Sequence, residues 1–287
     1  MIRFRSIFTA YIRVMLFTTN LRKMRANLDD QGVAQYELPL FDVIAQNGNY
    51  LMNPLIGEKI TVHFNQEIHC VETGKKIKKT FGEGMSYDAW LKSPAASPSI
   101  IRPELSRIHE GIALRDKEWE EAHHNQPHYV YISRTSGVKV GVTRATNKIS
   151  RWIDQGASEG IVLAETPYRQ LAGLIEVALK DHMSDKTSWQ AMLKNEISSH
   201  ESLIEVKNKS LDLLSSEFES FFADDDTVTH IKFPVLQYPT KVKSLKLDNI
   251  TSYTGELCGI KGQYLIFKDG SVLNIRSHSG YRMSIEV

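Results

Sequence analysis

Alternation of apolar and polar positions marks strands near both ends of the chain, with helical periodicity concentrated between them. Tyr36-Glu37-Leu38-Pro39-Leu40 and Lys59-Ile60-Thr61-Val62-His63-Phe64 alternate with the period of a half-buried strand. Asn47-Gly48 and Asn65-Gln66 read as turns. Residues 94–103, rich in Ser, Ala and Pro, read as extended chain, and residues 104–121 as weakly helical. Tyr129 to Ser133 predicts a strand, Thr135-Ser136-Gly137 a tight turn, and Val138 to Val142 the return strand. Asn147 to Gln155 suits a short helix that stops at Gly156. A longer helix is expected from Thr166, with Pro167 in its first turn and Leu171, Leu174, Ile175, Ala178 and Leu179 at helical spacing. A further helix is expected over 187–214, running into the acidic positions Glu217, Glu219, Asp224, Asp225 and Asp226. Beyond them, Val242–Leu247, Tyr264–Phe267, Val272–Arg276 and Tyr281–Val287 read as strands, with Asp269-Gly270 as a hairpin turn.

This pattern predicts an α+β protein in successive parts. Residues 1–20 read as a leader or frayed N-terminus, 21–126 as a β-rich region and 127–215 as an α/β domain. Residues 216–226 read as a solvated acidic linker, and 227–287 as a β-barrel-like module. At 287 residues the chain is long enough for more than one module, and 41% hydrophobic with 24% charged residues excludes a disordered, collagenous or membrane-embedded chain. A net charge of +1 does not by itself announce a nucleic-acid partner. Cys70 and Cys258 supply neither a disulfide framework nor a four-cysteine metal site, so a cytoplasmic setting is the expectation. Arg13 interrupts the apolar stretch of residues 1–19, which argues against a secretory signal or a membrane span. An amphipathic leader, or an upstream start with Met15 as the alternative, is expected instead.

The chemistry-bearing segment is central. His128-Tyr129-Val130-Tyr131-Ile132 is followed by a turn, then by Lys139-Val140-Gly141-Val142-Thr143-Arg144, then by Arg151 and Glu176. This succession resembles the GIY-YIG nuclease superfamily, with Tyr131 at the tyrosine of the first triplet and Lys139-Val140-Gly141 at the second. Arg151 matches its arginine and Glu176 its metal-binding glutamate. Tyr129 stands where the first triplet's glycine would be, and Lys139 where the second triplet's tyrosine would be. The resemblance implies phosphodiester hydrolysis. Glu176 would hold a Mg²⁺ or Mn²⁺ ion that otherwise keeps its waters. Arg151 would bind the phosphate, and Tyr131, beside Lys139, would orient or deprotonate the attacking water. Gly141 would let the backbone approach the phosphate, with Arg144 as a further phosphate contact and Asp154 lining the site.

A second resemblance covers nearly the whole chain. Leu21-Arg22-Lys23-Met24, Lys139 to Arg144, Arg151-Trp152-Ile153-Asp154-Gln155-Gly156-Ala157 and Gly259-Ile260-Lys261-Gly262-Gln263-Tyr264-Leu265 are similar to the family known as domain of unknown function 2797. That resemblance implies a three-part architecture and, in relatives, a knuckle with two Cys-x-x-Cys pairs. Here Cys70 is joined by Thr73, Ser86 and Ala89 at the other thiolate positions, so no zinc is expected. Packing by Phe81, Met85, Tyr87 and Trp90 is expected to hold the loop.

Each candidate has a plainer reading. Tyr131 would simply pack, Arg151 would be a surface cation on Trp152, Glu176 a solvated acid, and Lys139 and Arg144 solvated charges. His123, His124 and His128 read as a polar surface loop, and Cys70 and Cys258 as small core residues. Arg276, His278 and Tyr281 carry the basic and aromatic chemistry that suits single-stranded nucleic acid. The functional expectation is a metal-dependent nucleic-acid phosphodiesterase or a degenerate descendant of one. The alternatives are a non-catalytic nucleic-acid-binding protein and an interaction or scaffold protein with a vestigial site.

Overall fold

The alternating segment at Lys59 is the central strand of the largest sheet, and its neighbours come from the far end of the chain. A computed structural model describes residues 14–180, 182, 183 and 188–287. In chain order its elements are β1 (Met15–Asn20), β2 (Arg25–Leu28), β3 (Ala34–Asp42), β4 (Ala45–Leu51), β5 (Lys59–Ile68), α1 (Tyr87–Lys92), α2 (Pro98–Ile101) and α3 (Lys117–His124). There follow β6 (His128–Arg134), β7 (Val138–Arg144), α4 (Lys148–Asp154), β8 (Glu159–Thr166), α5 (Arg169–Lys180), α6 (Trp189–Leu193) and α7 (Leu203–Asp212). The chain ends with β9 (Thr229–His230), β10 (Lys243–Leu245), β11 (Ser252–Lys261), β12 (Tyr264–Phe267), β13 (Ser271–Asn274) and β14 (Tyr281–Glu286).

The fold is mixed α+β with several sheets. The large sheet runs β1-β14-β5-β11-β12-β13-β10. Antiparallel pairing sets Val62 of β5 against Ile285 of β14, and Ile60 against Gly255 of β11. The expected C-terminal barrel is therefore corrected: the late strands form an open sheet with the early ones, and no barrel closes among the described residues. Burial explains this, because Ile60 and Val62 of β5 and Met283 and Ile285 of β14 share one hydrophobic core that neither end of the chain could complete alone. The leader is also corrected in part. Residues 1–13 lie outside the described residues, but Met15–Asn20 is an edge strand paired with β14, with Thr19 and Asn20 fully buried. Among the described residues no helix is long and apolar enough to cross a membrane.

The central sheet runs β7-β6-β8-β9 and is covered on both faces. Tyr131 and Val162 face the shared core with Trp152 of α4. Val130, Ile132, Ile161 and Leu163 face a second core with Ala172, Ile175 and Leu179 of α5 and Leu203 of α7. A strand buried on both faces reads as an unbroken apolar run, which is why Gly160 to Ala164 carries no alternation. The expected helix over 187–214 is instead two short ones, α6 and α7. Residues 94–105 are short helical turns rather than extended chain. The acidic side chains of the linker are exposed, as expected of a solvated run, but its backbone is docked. Phe222 bridges to Ala164 of β8, and the buried Lys207 ammonium donates to the Ala223 and Asp225 carbonyls and to Asp226 Oδ1.

Around Cys70 a small cluster contains Met85 and Ala89, packed against Trp90. Phe81 lies 5.1 Å from Tyr87 and 6.2 Å from Trp90, centroid to centroid. Cys70 and Cys258 are free and buried. Burial raises the Cys70 thiol pKa, but donors from Thr73, Ser86 and Glu72 outweigh it and bring the thiol to about 7.

Candidate functional site: a basic cleft along strand β7

Strand β7 is the outer strand of the central sheet, and successive residues Lys139 to Arg144 all line one cleft of about 380 Å³. The cleft follows the strand edge. Tyr131 reaches it from β6, Asn147 from the cap just before α4, and Ser150, Arg151 and Asp154 from α4. Arg169 and Glu176, two turns apart on α5, complete that side. All seven residues singled out from the sequence (Tyr131, Lys139, Gly141, Arg144, Arg151, Asp154 and Glu176) therefore line one cavity.

Tyr131 is fully buried, opposite Gly141 in the β6–β7 pair, and its hydroxyl donates to Gln155 Oε1 at 3.0 Å. A Cβ on Gly141 would sit 2.6 Å from the Tyr131 oxygen. Gly141 thus makes room for the phenol, a role distinct from the expected backbone approach to phosphate. Burial raises the Tyr131 pKa, against the lowering effect of Arg151.

Arg151 is not the surface cation of the plainer reading. The cation over Trp152 is Lys148, whose Nζ lies 5.6 Å from the ring centroid. The Arg151 Nε is buried without a hydrogen-bond partner among the described residues. Burial opposes its charge, but Tyr131, Asp154 and Glu176 outweigh that and hold its pKa above the ordinary arginine value. Burial lowers Arg169 to about 10, with Glu176 opposing and Arg151 and Arg144 reinforcing. Arg169 Nε donates to the Ser99 carbonyl and an Nη to the Ile100 carbonyl, each at 2.9 Å. The sequence offered one usable signal for Arg169: its seven-residue spacing from Glu176 on a helix.

Glu176 keeps 13% of its side chain exposed, with Lys180 Nζ at 3.6 Å. Burial raises its pKa, and Lys180 and Arg169 oppose the rise. Asp154 has a different task. Its carboxylate is 2% exposed, ion-paired with Lys23, and accepts from Gln263 Nε2 at 2.8 Å. Gln263 also accepts from the Met24 amide at 2.8 Å and donates to the Met24 carbonyl at 3.0 Å. Lys23-Met24, Asp154 and Gln263 come from three separate segments and meet at one point beside the cleft.

The histidines are not a surface loop. His124 and His128 are buried, and burial lowers them to about 3 and about 4 respectively, with Arg169 and Arg144 acting in the same direction. The basic and aromatic residues near the C-terminus are engaged within the fold. Arg276 pairs with Glu83, and Tyr281 donates to Asp248 at 2.8 Å. His278 Nε2 accepts from the Leu247 amide at 3.2 Å.

Among the described residues no three His, Cys, Asp or Glu side chains are grouped to hold a metal ion. With Asp154 engaged by Lys23 and Gln263, the cleft offers one carboxylate among the described residues, Glu176. A single hard oxygen donor suits Mg²⁺ or Mn²⁺, which keeps several waters and takes remaining oxygens from a bound phosphate. With Arg151, Arg169 and Lys180 around Glu176, such an ion would need the negative charge that a phosphate brings.

The molecule is thus an α+β protein of several sheets with a predominantly basic cleft. It belongs to the family described as Protein of unknown function (DUF2797), whose model matches residues 57–283. No curated protein and no solved structure matches the chain.

Proposed function

We propose that the cleft binds nucleic acid through its phosphates and hydrolyses a phosphodiester bond with a divalent metal, as a divergent GIY-YIG-like nuclease. One observation carries this reading: Tyr131, Lys139, Arg144, Arg151 and Glu176, up to 45 residues apart in sequence, line a single cleft. Arg151 supplies a half-buried guanidinium on the cleft lining, and a phosphate oxygen in the cleft would pair with its charge. Lys139 and Arg144 hold the strand on either side. The Tyr131 proton is given to Gln155 and its oxygen also accepts from the Arg151 guanidinium, which leaves one lone pair to accept a hydrogen bond from water. Because burial raises its pKa, Tyr131 orients that water rather than deprotonating it. Glu176 would ligate Mg²⁺ or Mn²⁺, which supplies charge stabilisation at the leaving oxygen when bound.

A second reading, a nucleic-acid binder without catalysis, is favoured by the cations around Glu176, which fit it as a counter-ion. Under either reading we take residues 70–90 as a knuckle that packs without zinc.

The test is cleavage of labelled single- and double-stranded DNA and RNA across a Mg²⁺ and Mn²⁺ titration, with wild type beside Glu176→Ala. Metal-dependent cleavage lost in the variant supports the nuclease. Equal binding without cleavage in both proteins supports the binder.

A further inference from the structure

The cleft has two chemically different walls. One is cationic, formed by β7, α4 and the start of α5. The other is apolar and aromatic, formed by Ile100, Ile101 and Pro103 together with Trp119 and His123 of α3. Ile101 is 84% exposed although it lines a cavity. Trp119 and His123 stack nearly parallel, with centroids 4.0 Å apart and planes 7° apart. The position of this wall is specified. Arg169 holds the Ser99 and Ile100 carbonyls, and Gly173 of α5 lets residues 103–104 pack so closely that a Cβ there would sit 2.2 Å from the Glu104 amide nitrogen. A cleft for phosphate alone needs no such wall.

We propose that this apolar and aromatic wall receives the face of an unpaired nucleobase, so that the cleft takes single-stranded nucleic acid. The inference rests on the phosphate-binding reading above and deepens it. In a duplex the base faces are stacked on each other, and only phosphates and groove edges are presented. An unpaired strand offers both a phosphate for the cations and a ring for the apolar and aromatic wall. The wall reads no base edge that is specific to one base, so it accepts DNA and RNA strands that can splay a base into it.

The test separates the two walls and requires no turnover. Binding is measured by fluorescence anisotropy in EDTA, using oligo-dT, oligo-rU, the same deoxy strand with abasic sites that keep its phosphates, and a duplex. Base-bearing single strands of either or both sugars are expected to bind about tenfold more tightly than the abasic strand or the duplex. Ile101→Ser, at an exposed position, and Trp119→Leu are expected to reduce that advantage while leaving abasic-strand affinity unchanged. Equal affinity for abasic and base-bearing strands overturns the proposal. If Arg144→Ala still weakens all of them, the phosphate-binding reading survives that failure. Absence of binding to every strand overturns both.

Discussion

Gly141 and Tyr131 are cross-strand partners, and the space that a Cβ of Gly141 would need is filled by the Tyr131 phenol, 2.6 Å from its oxygen. The glycine and the tyrosine of the two sequence triplets are therefore one packing unit. Gly141→Ala is expected to destabilise the protein by about 1–3 kcal/mol through overpacking. Adding Tyr131→Leu should recover part of that loss, giving a coupling measurable in a double-mutant cycle by urea unfolding. A neutral Gly141→Ala would show that the ring has somewhere else to go.

Asp154 ties the N-terminal and C-terminal segments to α4. Its ion pair with Lys23 contributes little, because the lysine is 39% exposed and solvent screens it. The hydrogen bond from Gln263 to a charged acceptor is worth about 1.5–3 kcal/mol. Asp154→Ala is expected to cost roughly that amount. Asp154→Asn should cost less, since an amide oxygen still accepts from Gln263. Chemical denaturation of both variants checks the order, and equal losses would assign the effect to the lost charge.

His124 and His128 are held neutral in the fold, at about 3 and about 4, against 6.5 for the ordinary side chain. Between pH 6.5 and about 4 the unfolded chain binds protons at these positions that the folded chain does not. Their contribution is thus intact above pH 6.5 and is lost as pH falls, at up to about 1.4 kcal/mol per pH unit for each histidine. Unfolding free energies at pH 7 and pH 5 should show this slope, and His124→Gln should make it shallower. An unchanged slope in the variant would place the acid sensitivity elsewhere.

Much of the central domain was legible because local signals agreed there. The turn after Ser133, the helix ending at Gly156 and the hairpin at Gly270 are read from glycine and periodicity alone. Candidate residues that share a strand edge or a helix face came out together in the cleft. Three things were not legible. Strand β8 lacked alternation because both its faces are buried. The partnership of β5 with β11 and β14 joins segments about 190 to 225 residues apart, which no local pattern encodes. The acidic run after residue 216 is exposed as its composition suggests, but its anchoring by Lys207 from inside a helix could not be read from it.

The proposed function requires that the cations along β7 bind phosphate. The decisive measurement is the affinity of a labelled single-stranded oligonucleotide as a function of salt, for wild type, Lys139→Ala, Arg144→Ala and a distant control, Lys268→Ala. Each cleft variant is expected to weaken binding by roughly tenfold and to reduce the slope of log affinity against log salt by about 0.7, while the control changes neither. Binding that is absent, or equally affected by all three substitutions, would contradict the proposed function.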